Sequence, residues 1–190
     1  DSDMTDFRLA MNIWGSDDVT IEGNSIRRMN HDALFLGGID GVKIEDNFIG
    51  DYRSQHPSAQ HQDSIQFYTN KSIAPPSQDI VIRGNTIDSA DYRQSIFIFN
   101  ELYRDGNLSA YHRNILIEKN YIHSTNLHGI TVTHADGVVI RGNTVIHNDD
   151  MGFNSIPLIN VSLLSKNVDI TGNTVYSVQN EANSSWNVSG

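Results

Sequence analysis

A nine-residue phrase recurs six times along this chain, and no other feature constrains the fold as strongly. It reads DVTIEGNSI at 18–26, GVKIEDNFI at 41–49, DIVIRGNTI at 79–87, NILIEKNYI at 114–122, GVVIRGNTV at 137–145 and NVDITGNTV at 167–175. Its asparagine falls at Asn24, Asn47, Asn85, Asn120, Asn143 and Asn173, at separations of 23, 38, 35, 23 and 30 residues. A unit of 23 residues, lengthened by insertions, is the signature of a solenoid whose loops accept extra chain while the stacked repeats keep their register.

Within each phrase the apolar residues alternate, as Val19, Ile21 and Ile26 do around Gly23-Asn24. That period belongs to strands and not to an amphipathic helix. Each phrase therefore reads as two short strands joined by a bend. A third strand precedes it: Leu9–Trp14, Ala33–Leu36, Ser64–Phe67, Ser95–Ile98, Gly129–Val132 and Leu158–Val161. Three strands per turn without a helix signal predict an all-β chain, a right-handed parallel β-helix of about six coils, and a rod about 29 Å long at the ~4.8 Å inter-strand spacing. An asparagine at the same place in every coil bonds to the coils above and below, so the six are expected to form an inward ladder that satisfies buried bend backbone. We read residues 1–190 as one such domain. Patterning already under way at Asp1, a strand-like stretch at 184–188 after the last phrase, and no polar capping repeat lead to the expectation that the chain is part of a longer protein, or meets further coils of the same or another chain.

If Leu34/Leu36, Ile65/Phe67, Ile96/Ile98 and Ile130/Val132 point inward, the intervening residues form outward columns. One column reads Asn12, Phe35, Gln66, Phe97, Thr131 and the next Trp14, Gly37, Tyr68, Phe99, Thr133. Aromatic and amide groups in a row suit the apolar faces and hydroxyls of a sugar chain, unless the insertions at 70–78 and 100–113 fold over them. Just before the same strands lie His31, Asp32, His61, Asp63, Arg93 and His128, with Tyr52, Arg53 and His56 on the adjacent bend. Register arithmetic brings this set onto one patch. A carboxylate beside a histidine fixes its tautomer and raises its basicity, which makes the stretch from His56 to Tyr68 a candidate catalytic segment. The plainer alternative is that Asp32 and Asp63 cap bends or pair with Arg93. His123, His134 and His147 are expected on the solvated surface.

Composition narrows the partners. With 13 Lys+Arg against 23 Asp+Glu the net charge is −10, which argues against nucleic acid or an anionic membrane surface as the bulk partner. No apolar run approaches the roughly 20 residues a bilayer helix needs. The absence of cysteine removes disulfides, thiolate catalysis and Cys-ligated zinc. No metal-specific spacing is present, although the His/Asp set and the Asp149-Asp150 bend carry ligand types suited to a divalent ion such as calcium.

On the asparagine phrase and the His61-Gln62-Asp63 stretch before an outward Gln66/Tyr68 strand, the chain resembles the parallel β-helix superfamily of carbohydrate-active proteins, which includes polysaccharide lyases, mannuronan C-5 epimerases and phage-type depolymerases. The phrase covers nearly the whole chain and is specific to the fold rather than to one activity. The resemblance implies an extracellular, secreted and bacterial protein acting on an acidic polysaccharide such as alginate, often with calcium. The epimerases carry Tyr, His and Asp around an Asp-Pro-His motif; here the nearest match is His61, Asp63 and Tyr68, without that motif.

Two classes of function follow. An enzyme abstracting the C5 proton of a uronic acid, ending in β-elimination or epimerisation, needs a carboxylate neutraliser, a base and an acid. Arg93 with a protonated His31 is the expected neutraliser, His61 the base oriented by Asp63, and Tyr68 or His128 the acid. Asp32, Gln66, Trp14, Phe35, Phe97 and Phe99 would bind the sugar chain. A hydrolase using Asp32 and Asp63 is the variant within this class. The alternative is a non-catalytic carbohydrate-binding or adhesive solenoid, marked by Arg93 and His61 turned from the aromatic groove or by insertions covering it.

Overall fold

The computed structural model describes residues 1–53, 62–89, 92–149, 155–162, 164–180 and 186–189. Its strands follow one another in threes. The first coil is β1 (Asp3–Thr5), β2 (Met11–Trp14) and β3 (Asp17–Glu22), the second β4 (Ser25–Arg27), β5 (Leu34–Gly37) and β6 (Asp40–Glu45), and the third β7 (Phe48–Gly50), β8 (Asp63–Tyr68) and β9 (Gln78–Arg83). The fourth is β10 (Thr86–Ser89), β11 (Gln94–Ile98) and β12 (His112–Glu118), with the short helix α1 (Glu101–Arg104) inserted before β12. Then come β13 (Tyr121–Ser124), β14 (His128–Thr133) and β15 (Ala135–Arg141); β16 (Thr144–His147), β17 (Leu158–Ser162) and β18 (Lys166–Thr171); and β19 (Thr174–Val175), β20 (Val178–Asn180) and β21 (Trp186–Ser189).

Every third strand pairs in parallel, giving three seven-stranded sheets: β1-β4-β7-β10-β13-β16-β19, β2-β5-β8-β11-β14-β17-β20 and β3-β6-β9-β12-β15-β18-β21. This is the parallel β-helix expected from the phrase, with seven levels where six phrases suggested about six. The difference arises because each phrase spans the end of one coil and the start of the next, so β1 adds a level before the first phrase and β20 and β21 complete one after the last.

The core consists of aliphatic stacks. Ile21, Ile44, Ile82, Ile117, Ile140 and Ile170 are register partners in the third sheet, and Ile26, Ile49, Ile87 and Ile122 continue into Val145 and Val175 in the first. β-branched side chains suit this arrangement because their restricted χ1 packs well on a pleated surface.

The bend inside each phrase explains its Gly-Asn signature. The residue before the ladder asparagine is always left-handed: φ is 65° at Gly23, 54° at Asp46, 66° at Gly84, 54° at Lys119, 62° at Gly142 and 60° at Gly172. Glycine adopts that region without steric cost, which is why it fills four of the six positions. The asparagine then turns inward. Its backbone N–H and Nδ2 both donate to Oδ1 of the next ladder asparagine, at 2.9 Å from Asn24 to Asn47 and at 3.0 Å from Asn47 to Asn85. The pattern continues through Asn120 and Asn143 to Asn173. Nδ2 also donates to a backbone carbonyl one coil back, Ile44 for Asn85 and Ile82 for Asn120. The ladder therefore satisfies bend groups that have no strand partner.

Candidate functional site

The outer face of the second sheet carries the columns anticipated from register. Asn12, Phe35, Gln66, Phe97, Thr131, Asn160 and Gln179 are successive partners in one, and Trp14, Gly37 and Tyr68 in the next. Phe35 and Tyr68 stack at 4.2 Å between centroids with an 8° interplanar angle, and Phe97 and Phe99 lie parallel at 5.6 Å. Exposure along the face is uneven: Trp14 is 47% exposed and Phe97 only 9%.

The insertions account for this. The segment after β11 is fixed by Asn100, whose N–H donates to Thr133 Oγ1 and whose Oδ1 accepts from Tyr103 N–H to cap α1. Glu101 Oε2 takes the Thr69 N–H at 2.7 Å, and Thr69 Oγ1 accepts from Leu102 N–H. Gly37 admits the loop after β8, since a Cβ there would come within 2.8 Å of the Tyr68 ring and 3.0 Å of the Ala74 side chain. The insertions thus wall one side of the face, leaving Trp14 exposed and Phe35, on which the Tyr68 ring stacks, in an open cleft.

That cleft, about 560 Å³, is lined by Arg8, Leu9, Asn12, His31, Asp32, Phe35 and Gln66. His31, about a quarter exposed, sets Nδ1 3.0 Å from Asp32 Oδ2. The other Asp32 oxygen accepts the Asp63 N–H at 2.8 Å, so the carboxylate that orients the imidazole is itself fixed by β8. Such an arrangement leaves His31 Nε2 as the ring nitrogen with a lone pair when the imidazole is neutral. Tyr68 has its pKa raised, first by burial and then by the Glu101 charge, so its hydroxyl keeps its proton at neutral pH.

The ionisable cluster assembles only in part. Arg93, expected to face a substrate carboxylate, is 1% exposed. Its guanidinium lies 4.0 Å over the Tyr52 ring, and Nη1 donates to the His31 backbone carbonyl at 2.8 Å. Below it Tyr52 donates to Ser64, and the Ser64 and Ser89 hydroxyls meet at 2.9 Å. Arg93 is therefore a brace that holds the His31 segment from inside the bend. Asp63 is wholly enclosed as well. His61 and His56 lie outside the described residues. His128 sits farther along the rod, with Nδ1 2.9 Å from Thr131 Oγ1 and its ring edge-on to Phe97 at 5.5 Å, so it belongs to the aromatic groove rather than to the His31 patch.

His134 corrects an expectation. It was placed on the solvated surface, yet it is fully buried between Tyr103 and Tyr111, with ring centroids 4.1 and 3.8 Å away. Both tyrosines come from the insertion, which has no counterpart in the repeat. Arg8 was missed for a related reason: it precedes the first phrase, where no repeat flags its position. Among the described residues no group of three or more His, Asp or Glu side chains is placed to hold a metal ion, and no helix is long and apolar enough to cross a membrane. In comparisons with known proteins, no family model and no curated protein matches the chain.

Proposed function

We propose that this protein acts outside the cell on an acidic polysaccharide, abstracting the C5 proton of a uronic acid residue so that the chain is cleaved by β-elimination or the sugar is epimerised. The observation that carries this reading is the His31–Asp32 dyad in a cleft that also holds a cation, Arg8, and the aromatic and amide groups of an outward column. Arg8 pairs with the substrate carboxylate, which makes the C5–H more acidic. His31 Nε2 accepts that proton while Asp32 stabilises the resulting imidazolium. Tyr68, held protonated, supplies a proton to the leaving oxygen or to the opposite face of C5. Phe35 and Trp14 carry neighbouring sugar rings, and Phe97, Phe99 and His128 extend the track.

The burial of Arg93 and Asp63 favours a second reading, in which the face binds a polysaccharide without turning it over. One experiment separates the two. Ultraviolet absorbance of the unsaturated product and deuterium exchange at C5 are followed on a panel of acidic polysaccharides, with and without calcium, while calorimetry reports binding. Under the first reading His31→Ala lowers turnover at least about 100-fold and leaves binding within a few fold. Binding with neither product nor exchange refutes catalysis and leaves the second reading; no binding refutes both.

A further inference from the structure

The outer face of the third sheet holds a second built surface, unrelated to the cleft. Val81, Leu116 and Val139 are successive register partners on β9, β12 and β15, forming one partly exposed apolar strip. Lys43 on β6 pairs with Val81 at one end, and Asp169 on β18 pairs with Val139 at the other. The strip lines a groove of about 700 Å³ that also passes Gly41 and Gly137. Charged rails flank it. On one side Arg83 joins Glu45 and Glu118, and Arg141 reaches Glu118 at 2.7 Å; on the other Asp136 holds Arg113 at 3.1 Å and Lys166 at 3.4 Å. An apolar strip inside a polar rim is the anatomy of a protein interface.

What identifies the partner is the order of residues. Read along the rod the strip is Lys43, Val81, Leu116, Val139, Asp169; read backwards it has the same shape with the end charges exchanged. We propose that this face is a two-fold interface with a second copy of this chain, the rods antiparallel and the axis running along β12. That operation sets Leu116 on its own equivalent, Val81 on the other copy's Val139, and Lys43 on the other copy's Asp169. It also brings Asp40 opposite Lys166 across the second rail. Arg83 meets Arg141 and Arg113 meets its own equivalent, but all three are already bound to a carboxylate of their own chain, Glu118 or Asp136. Self-complementarity of this kind is what an isologous contact requires, and an unrelated partner would have no need of it. Five levels at ~4.8 Å by a six-residue strand give a footprint of about 500 Å² per copy. A standard interface takes roughly 800 Å² per partner, so the dimer is a weak, transient one.

Sedimentation velocity across a concentration series tests this, with circular dichroism confirming that each variant is folded. The parent is expected to shift from monomer to dimer. Lys43→Glu and Asp169→Lys each weaken the dimer about tenfold or more, because both symmetry-related pairs are reversed at once, and the double variant K43E/D169K recovers the parent constant. Leu116→Asp abolishes the dimer. A parent that stays monomeric to about 200 µM overturns the proposal. So does a double variant no better than the single ones, since the pairing would then not be Lys43 to Asp169.

Discussion

Replacing Asn85 with alanine tests whether the ladder holds the coils together, and its cost can be worked bond by bond. Asn85 Oδ1 accepts from both the N–H and Nδ2 of Asn47, and its Nδ2 donates to Ile44 C=O at 2.8 Å, to Asn120 Oδ1 at 2.9 Å and to Arg83 C=O at 3.1 Å, the last of which keeps the Asp46 N–H in the variant. Several partners keep other bonds after the change: Asn47 Nδ2 still reaches Ile21 C=O, and Asn120 Oδ1 still accepts from the residue-85 N–H. The uncompensated losses are the Asn47 N–H and the amide donor to Ile44 C=O. At about 1–3 kcal/mol for each buried group left unpaired, the variant should lose about 3 kcal/mol. Asn24 is a built-in control. Its side chain contributes one bond, Nδ2 to Asn47 Oδ1, whose acceptor keeps the Asn24 N–H, so Asn24→Ala should lose only about 1 kcal/mol. Asn85→Asp keeps the acceptors but points a carboxylate at carbonyl oxygens, so it should be worse than alanine at neutral pH and recover as acid protonates it. Equilibrium urea unfolding of the three variants against the parent measures these differences. Equal losses for Asn24→Ala and Asn85→Ala, or a loss below about 1 kcal/mol for Asn85→Ala, would refute the reasoning, since the bond count would then not govern stability.

His112 predicts an acid sensitivity. It is fully buried, with Nδ1 accepting the Ser77 N–H at 3.0 Å and Nε2 3.3 Å from Phe99 C=O, and burial lowers its pKa from 6.5 to about 4. The unfolded chain takes up a proton below pH 6.5 that the folded chain refuses until about pH 4, so this contribution is complete above 6.5 and is lost as pH falls through that window. The loss amounts to about 3 kcal/mol by pH 4. Urea midpoints of the parent and His112→Asn, compared between pH 7 and 4.5, should converge as the pH drops; a constant gap would show that the residue does not titrate this way. Arg93→Ala should destabilise the fold by about 3 kcal/mol or more, because it removes a buried, multiply bonded cation, whereas His31→Ala should cost less than about 1 kcal/mol. If thermal melts rank these two the other way, Arg93 is not the brace described above.

The repeat made the scaffold legible. Period-two alternation and the Gly-Asn bend gave the three strands per coil, and counting from the inward leucines and isoleucines placed Phe35, Gln66 and Phe97 in their column. Column arithmetic says which residues are neighbours along the rod, but not how deep a bend residue sits, and that is where the reading of Arg93 departed from its place under the His31 carbonyl. Depth at a bend depends on what packs over it, here the Tyr52 ring. The same limit hid His134, since the tyrosines enclosing it come from the inserted helix α1 and the loop after it. The third-sheet strip was equally present in the phrases, as the third residue of each, but it becomes a surface only once Val81, Leu116 and Val139 are seen as consecutive rungs.

The bonds from one ladder asparagine to another all point one way, each coil's N–H and Nδ2 directed at the oxygen of the next. Such a chain of bonds has a head and a tail, so coil assembly is vectorial: an ordered coil offers an incoming one a fixed docking template. Slipping by one residue would carry the incoming oxygen about 3.3 Å from both donors and turn every core side chain to the outside. The same six residues that hold the rod together therefore also proofread its assembly.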